Sequence, residues 1–305
     1  MFDLSKISKK DRIWDDRRSL TADVESLYRQ AKFDKYPERL KNCSKQLDYV
    51  GEVSEDGEVK LKLHSAHFCR VRNCPVCQWR RSLGWTARFL QSYPALEAEF
   101  PTDRWISLTL TCNNCPIADL RSTIDHLNKS YRKLTLRKDF PGRGWFKAIE
   151  VTKSDSPLPG YAHPHLHCLL MVPSGYFSGQ SYLNHKQWQA MWQGCLKQET
   201  PPSIHLKAIK PKSDKDLANA LAHTIKYVTK SNDFFNDIPW FREYCLQMHK
   251  VRTVSVGGVL RGKISEEEIT EIEMIGEDSA PIEDPQQWIF YWQEKLRKYR
   301  GNLMG

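Results

Sequence analysis

The sequence has no long hydrophobic run, and no stretch of its 305 residues approaches the roughly 18 apolar residues that span a bilayer. Residues 1–18 also lack an apolar core followed by a small-residue cleavage site, so we expect neither a membrane segment nor a secretory signal. Internal repeats and long low-complexity tracts are missing as well, which excludes solenoid and fibrous architectures. The nine cysteines are then expected in the reducing cytoplasm, where metal binding or burial is commoner than disulfide formation.

Charge is unevenly distributed along the chain. Lys and Arg number 46 against 37 Asp and Glu, and the net charge of +9 favours an anionic partner such as nucleic acid. Residues 264–284 contain nine of the acids and no Lys or Arg, so the basic excess elsewhere is larger than the net value suggests. We interpret residues 264–284 as a flexible acidic insertion that avoids DNA, faces a partner or competes for the basic surface.

Hydrophobic periodicity predicts an α+β fold. Period-2 alternation and β-forming residues predict strands over 105–111, 145–152, 165–172 and 204–209. Helical spacing predicts helices over 117–136, 184–198 and 214–230. The order β-α-β-β-α-β-α is typical of a mostly antiparallel sheet with helices on one face. Outside this region we expect a helical arm, a hairpin within 41–82, a helix over 83–97 and a helical tail over 285–300.

Four cysteines form the first candidate metal centre. Cys69, Cys74 and Cys77 lie within nine residues, and Cys43 precedes the predicted hairpin. A Cys-x-x-Cys turn directs two thiolates at one point, and structural zinc takes four ligands in a tetrahedron, so the spacing favours zinc over buried structural thiols. Nearby arginines would then contact phosphates rather than bases, and these are Arg70, Arg72, Arg80 and Arg81. The second pair, Cys112 and Cys115, we interpret as incidental.

A histidine pair and a tyrosine form the second candidate centre. On the strand over 165–172, His165 and His167 project from the same face, where two imidazoles can ligate a divalent cation. On the helix over 214–230, Tyr227 shares a face with His223 and Lys230. A tyrosine hydroxyl can attack a phosphodiester when its proton is removed and the phosphate charge is neutralised, a role for which Lys230 is suited.

In this order the motifs resemble the rolling-circle plasmid replication initiators (Rep proteins) of the HUH endonuclease superfamily. The resemblance rests on the cysteine segment from Cys43 to Arg81, Trp105–Thr111, His163–Leu169 and Lys226–Lys230. Arg252 and Gly257-Gly258 are similar to a following segment of the family. The resemblance runs from about residue 40 to 262. It implies a five-stranded antiparallel sheet of RRM-like topology, the HUH nuclease core, with a zinc-binding segment before it.

The resemblance also implies the reaction. Single-stranded or hairpin origin DNA would be nicked, Tyr227 would become joined to the 5′ phosphate, and the free 3′ hydroxyl would prime synthesis, with host helicase and polymerase as partners. Mg²⁺ or Mn²⁺ would be the catalytic metal and Zn²⁺ the structural one. Glu150 occupies the place where the family often has an acidic ligand. One branch of the family carries a glutamate where this chain has His223. The role of His223 is therefore left open between a base, a metal contact and a phosphate contact.

The resulting domain prediction is a helical arm over 1–40, a zinc-binding segment over 41–98, an HUH core over 99–262, and an acidic segment with a C-terminal helix over 263–305. Two alternatives remain at this point. A single-strand DNA transposase can combine the same elements, although such enzymes often have two tyrosines on the catalytic helix and this segment has Tyr227 alone. A zinc-containing DNA-binding protein without catalysis would leave the coincidence of His165, His167 and Tyr227 unexplained.

Overall fold

The structure, a computed structural model, describes residues 1–53, 59–154, 160–179, 181–209, 214–225, 237–276 and 286–304. The strands are β1 (Phe2–Asp3), β2 (Gln46–Val53), β3 (Val59–Ala66), β4 (Arg104–Thr111), β5 (Cys115–Pro116), β6 (Gly144–Lys153), β7 (Tyr161–Val172), β8 (Ile204–Ile209), β9 (Val254–Gly258), β10 (Gln286–Gln293) and β11 (Lys298–Met304). The helices are α1 (Leu4–Ile7), α2 (Arg12–Gln30), α3 (Tyr36–Asn42), α4 (Pro75–Glu99), α5 (Leu120–Thr135), α6 (His185–Leu196), α7 (Asp214–Ile225), α8 (Ile238–Gln247) and α9 (Glu271–Ile275).

The chain divides into two units, and each has its own sheet. Unit 1 comprises residues 1–84 and 268–305, and unit 2 comprises residues 85–267. Every pairing between the named strands is antiparallel, so the predicted α+β class is confirmed at that level. Within the described ranges, no helix is both long enough and apolar enough to cross a membrane. The finer domain boundaries given above stay predictions.

Unit 2 is built on a sheet with the strand order β8-β4-β7-β6-β9, and β5 adds a short pairing to β7. The four predicted strands are confirmed, although β7 begins earlier, at Tyr161. Alternation explains β4, where Ile106, Leu108 and Leu110 are buried. Helix α5 buries one face at helical spacing against the sheet, and its buried residues include Ile124, Leu127, Tyr131 and Leu134. These layers fix the register that brings the candidate ligands together.

Aromatic side chains fill part of the unit 2 core. Phe89 of α4 and Phe146 of β6 are fully buried, and their ring centroids are 5.6 Å apart in an edge-to-face arrangement. Trp105 of β4 lies 5.5 Å from the same Phe89 ring. Helix α4 therefore packs against the part of the sheet around Phe146. Further along β6 and β7, half-buried polar side chains replace these aromatics.

Unit 1 contains a second sheet that the sequence analysis missed, with the order β1-β11-β10-β2-β3. The β2–β3 hairpin was predicted, whereas the predicted helical tail over 285–300 is wrong because the chain forms β10 and β11 there. Trp288, Phe290 and Trp292 are all buried, and they alternate along β10 in the period of a strand. Pairing with β2 decides the conformation of β10, and local helix propensity does not.

The acidic segment is ordered where the structure describes it. Ile264, Ile269 and Met274 are buried, and Thr270 caps α9 with a reciprocal capping box to Glu273. A flexible insertion is therefore wrong for residues 264–276, because apolar side chains every few residues anchor the segment. Residues 277–284 lie outside the described residues.

Candidate metal centres

Glu150, His165 and His167 meet on one face of the unit 2 sheet. Glu150 on β6 lies directly opposite His165 on β7 in the strand register, and His167 follows two residues later on the same face. One potential ligand atom from each residue lies within 4.8 Å of the other two. The predicted histidine pair and the nominated acid are thus brought together by the antiparallel pairing of β6 with β7.

Hydrogen bonds orient the three side chains toward a common point. Oε2 of Glu150 lies 3.1 Å from Nε2 of His165 and 2.5 Å from Nε2 of His167. Burial alone would raise the pKa of the Glu150 carboxyl, but the hydrogen bonds from the two histidines outweigh it and lower that pKa to about 2. Glu150 is therefore a carboxylate throughout the physiological range, as a metal ligand must be.

The donor set fits a divalent cation. Ligand atoms around an octahedral cation with bonds of about 2.1 Å stand about 3 Å apart, close to the 3.1 Å between Glu150 and His165. A carboxylate oxygen and two imidazole nitrogens can ligate a divalent cation whose remaining positions take other ligands. The three side chains are only 11–17% exposed, so a cation here would be partly shielded from water yet open on one side. No metal identity follows from these residues alone.

The second ring nitrogen of each histidine also has a partner. Nδ1 of His165 lies 3.2 Å from the carbonyl oxygen of His163, which can only accept, so Nδ1 can donate there when Nε2 ligates a metal. Nδ1 of His167 lies 3.2 Å from Oγ1 of Thr109, its direct neighbour on β4. The sequence analysis assigned no role to Thr109. The alternation of Ser107, Thr109 and Thr111 as the polar face of a predicted strand was the available signal.

The predicted catalytic helix is described only in part. Helix α7 spans Asp214–Ile225 and packs against β6 and β7, the two strands that carry Glu150 and the histidines. His223 lies on this helix, but its side chain is outside the described residues. Tyr227 and Lys230 follow directly in the sequence and also lie outside them. Their predicted roles therefore stay predictions.

The four predicted zinc cysteines form a second cluster, in unit 1. Cys43, Cys69, Cys74 and Cys77 are at most 3% exposed, and their sulfur atoms all lie within 4.8 Å of one another. Sγ of Cys43 is 3.5 Å from that of Cys74 and 3.6 Å from that of Cys77. Tetrahedral zinc with Zn–S bonds of about 2.3 Å places its sulfurs about 3.8 Å apart, so the cluster fits zinc closely.

Local backbone conformation explains how the cysteines converge. Ser44 and Arg70, the residues after Cys43 and Cys69, both adopt left-handed φ angles, 51° and 55°. These tight turns direct each sulfur back toward the start of α4, where Cys77 lies in the first turn. Burial opposes ionisation of Cys74, but hydrogen bonds from the other three thiols hold its pKa well below the ordinary value. Cys74 is therefore the cysteine of the cluster that is most readily available as a thiolate ligand.

The predicted phosphate-contacting arginines have different surroundings. Arg80 is 8% exposed, donates to the carbonyl oxygens of Met274 and Ile275, and lies 4.9 Å over the ring of Trp79. A phosphate contact does not fit Arg80, because its guanidinium already braces α9. The sequence could not reveal this, since the partner carbonyls lie almost two hundred residues away.

The other three arginines are less deeply enclosed. Arg70 makes an ion pair of 3.0 Å with Glu268, and Arg81 donates to the carbonyl oxygen of Arg70 at 3.1 Å. Arg72 is half-buried. Glu268 thus shields part of the basic cluster.

The second cysteine pair lies elsewhere. The buried Cys112 contacts the carbonyl oxygen of Pro164, and burial raises the pKa of its thiol to about 12, which agrees with a structural thiol.

Comparison with known proteins places this chain in a family. A family of replication proteins matches residues 60–300, which is most of the chain and includes Glu150, His165 and His167. The chain belongs to this replication protein family. The predicted membership among Rep proteins is thereby confirmed, although the family match itself assigns no role to any single residue.

Individual Rep-family relatives are similar over comparable lengths. A "Protein rep" of Streptococcus pneumoniae serotype 2 (strain D39 / NCTC 7466) is 32% identical over 226 residues, covering 72% of this chain and 68% of the relative. A "Protein rep" of Lentilactobacillus hilgardii is 29% identical over 237 residues, 75% of this chain and 73% of the relative. One of Lactiplantibacillus plantarum is 32% identical over 213 residues, 66% and 67% respectively. No solved structure matches the chain.

Proposed function

We propose that this Rep-family chain initiates rolling-circle plasmid replication as a metal-dependent HUH endonuclease that nicks single-stranded or hairpin origin DNA. The observation that carries the proposal is the convergence of Glu150, His165 and His167 within 4.8 Å on one face of the sheet. A buried carboxylate between two imidazoles is an arrangement for binding a cation next to a phosphate. Membership of the replication protein family supports replication over transposition and over DNA binding without catalysis.

The topology supports the same proposal. Leaving aside the short β5, the chain from β4 to β8 runs β-α-β-β-α-β, and these four strands lie in the order fourth, first, third, second, which is the order expected for the proposed RRM-like core. Strand β9 extends that sheet beside β6. Helix α7 packs on β6 and β7 and leads directly into Lys226 and Tyr227. The expected nucleophile therefore follows an element that already touches both metal-bearing strands.

The proposed reaction is a transesterification. The Tyr227 oxygen attacks the phosphorus, its proton passes to a base, for which His223 is the candidate, and the bond between phosphorus and O3′ breaks, the leaving O3′ taking a proton from water. The products are a 5′-phosphotyrosine and a free 3′ hydroxyl that primes synthesis. Glu150, His165 and His167 would hold Mg²⁺ or Mn²⁺, which supplies charge neutralisation at the phosphate. Lys230 would stabilise the charge that develops on the phosphate oxygens.

The remaining parts would hold the DNA and the fold. Cys43, Cys69, Cys74 and Cys77 would bind Zn²⁺ as a structural centre, because all four are buried and closed to substrate. Arg70, Arg72 and Arg81 remain candidates for phosphate contacts. Host helicase and polymerase would act on the nicked origin after the chain has exposed the primer end.

The test is cleavage of single-stranded oligonucleotides that tile the replicon's own origin, with Mn²⁺, followed by denaturing gels for the covalent protein–DNA adduct. Tyr227→Phe is expected to abolish both the nick and the adduct because it lacks the attacking oxygen. Tyr182→Phe is the matched control, since Tyr182 is exposed and outside the proposed site. An adduct formed by Tyr227→Phe at the parent's rate would overturn the assignment of the nucleophile.

The metal is tested separately. Glu150→Gln keeps the size of the side chain but removes its charge, so Mn²⁺ titrated into the zinc-loaded protein is expected to bind far more weakly. Cleavage that persists without added divalent cation, or unchanged Mn²⁺ affinity in this variant, would refute the metal site.

A further inference from the structure

An open groove in unit 1 lies well separated in sequence from the proposed cleavage residues. Its volume is about 550 Å³, enough for one nucleotide, and most of its lining residues have polar side chains that leave apolar surface between them. The lining residues are Asn42, Lys45, Gln46, Asp48, Ser65, Ala66, His67 and Tyr291. No role for this groove follows from the chemistry at Glu150, His165 and His167.

One aromatic side chain forms the apolar part of the groove. Tyr291 projects from β10, an interior strand of the unit 1 sheet, and is 46% exposed. Trp288, Phe290 and Trp292 on the same strand are buried. Aromatic rings on a sheet surface are the usual platform on which unpaired bases stack.

The neighbours of Tyr291 supply both charge and base-reading groups. In the strand register Gln46 lies opposite Tyr291 on one side and Arg300 on the other. Nε2 of Gln46 donates to Oδ1 of Asp48 at 2.6 Å, which leaves the amide oxygen of Gln46 and the second carboxylate oxygen of Asp48 as acceptors. Lys45 is exposed at the groove, where its ammonium can meet a phosphate.

The cysteine cluster holds two walls of the groove in place. Asn42 and Lys45 flank Cys43 closely, and His67 lies just before Cys69. The backbone N–H of Ser44 donates to the carbonyl oxygen of His67 at 2.7 Å, so the two turns that present the cysteines are joined at the groove. A metal bound by the cysteines would therefore fix the spacing of these walls.

We infer that this groove binds one unpaired nucleotide of single-stranded DNA. The base stacks on Tyr291, its edge faces Gln46 and Asp48, and its phosphate lies near Lys45. Because the second carboxylate oxygen of Asp48 can only accept hydrogen bonds, the groove favours a base with an exocyclic amino group, such as cytosine, over thymine. This inference rests on the proposed function and extends it by giving the chain a DNA contact in unit 1 besides the cleavage residues of unit 2.

The test is fluorescence anisotropy with the full, zinc-loaded chain and labelled oligodeoxycytidine or oligothymidine of equal length, without Mg²⁺ or Mn²⁺. Stacking of one base contributes about 1–3 kcal/mol, so Tyr291→Ala is expected to weaken binding of oligodeoxycytidine roughly five- to a hundredfold. Tyr291→Phe keeps the ring and is expected to bind within about twofold of the parent. Asp48→Asn is expected to reduce the preference for cytosine over thymine.

Tyr182→Ala is the matched control, because Tyr182 is 50% exposed but does not line the groove. Zinc content and circular dichroism of each variant check that the cysteine cluster and the fold are intact. Unchanged affinity in Tyr291→Ala, or an equal loss in Tyr182→Ala, overturns the inference. Equal binding of the two oligonucleotides by the parent overturns the base preference. No cleavage is involved, so failure of the Tyr227 test leaves this result standing, and the reverse also holds.

Discussion

Replacing Thr109 by valine is expected to weaken Mn²⁺ binding about tenfold, although Thr109 itself is not a proposed ligand. Its Oγ1 lies 3.2 Å from Nδ1 of His167, whose Nε2 points toward Glu150. Valine keeps the β-branched shape that suits a strand but removes this hydrogen bond. Loss of such an orienting partner typically costs ten- to a hundredfold in metal affinity, and we take about the lower value because the hydrogen bond is neutral and long.

The assay is calorimetric titration of Mn²⁺ into the zinc-loaded protein. Thr111→Val is the matched control, because Thr111 lies two residues along β4 but donates its hydroxyl to the carbonyl oxygen of Ser203 instead of orienting a ligand. It is expected to lower the melting temperature without changing Mn²⁺ affinity, whereas Thr109→Ser is expected to restore most of the affinity. Parental Mn²⁺ affinity in Thr109→Val, or an equal loss in both valine variants, would refute the positioning role.

Three further outcomes are expected. Cys74→Ser removes one of four thiolate ligands, and metal analysis of the purified chain should show loss of stoichiometric zinc; full zinc content would contradict the cluster. Because the pKa of Glu150 falls from 4.5 to about 2 on folding, its contribution to the free energy of unfolding is present above pH 4.5 and is lost as pH falls toward 2. The free energy of unfolding of the apo protein, from denaturant titrations, should therefore differ less between the parent and Glu150→Gln as pH falls toward 2. A difference that grows toward pH 2 would contradict this expectation. Gly258→Ala should lower the melting temperature more than Gly262→Ala, because both have positive φ but only at Gly258 would a Cβ lie 2.0 Å from the carbonyl oxygen of Arg143; equal melting temperatures would argue against it.

Local pattern predicted unit 2 well. Alternation in β4 and β6, and the helical spacing of α5, depend only on residues close in sequence, so they are visible before the strand pairing is known. The pairing of Glu150 with His165 needed the register between β6 and β7, and no local pattern fixes that register. The resemblance to Rep proteins supplied Glu150 where periodicity could not.

Long-range pairing explains what was missed. The charged residues after Trp292 have high helix propensity, yet β10 is held by β2, far earlier in the sequence. Arg80 looked like a phosphate ligand because only its basic neighbours are visible along the chain. Its carbonyl partners at Met274 and Ile275 come from distant sequence that the fold returns to α4.

The pairing of β1 with β11 has a consequence for biosynthesis. The sheet of unit 1 joins Phe2 and Asp3 to Gly301 and Arg300, so it requires residues that lie almost three hundred positions apart in the sequence. Unit 2 is continuous from residue 85 to 267 and can fold on the ribosome before β10 and β11 emerge. During that interval the β2 edge of the β2–β3 hairpin is unpaired. An unpaired strand edge can pair with another chain, so the nascent protein is prone to aggregation at this stage. The order of synthesis therefore lets the sheet of unit 2 form before the sheet of unit 1 is complete.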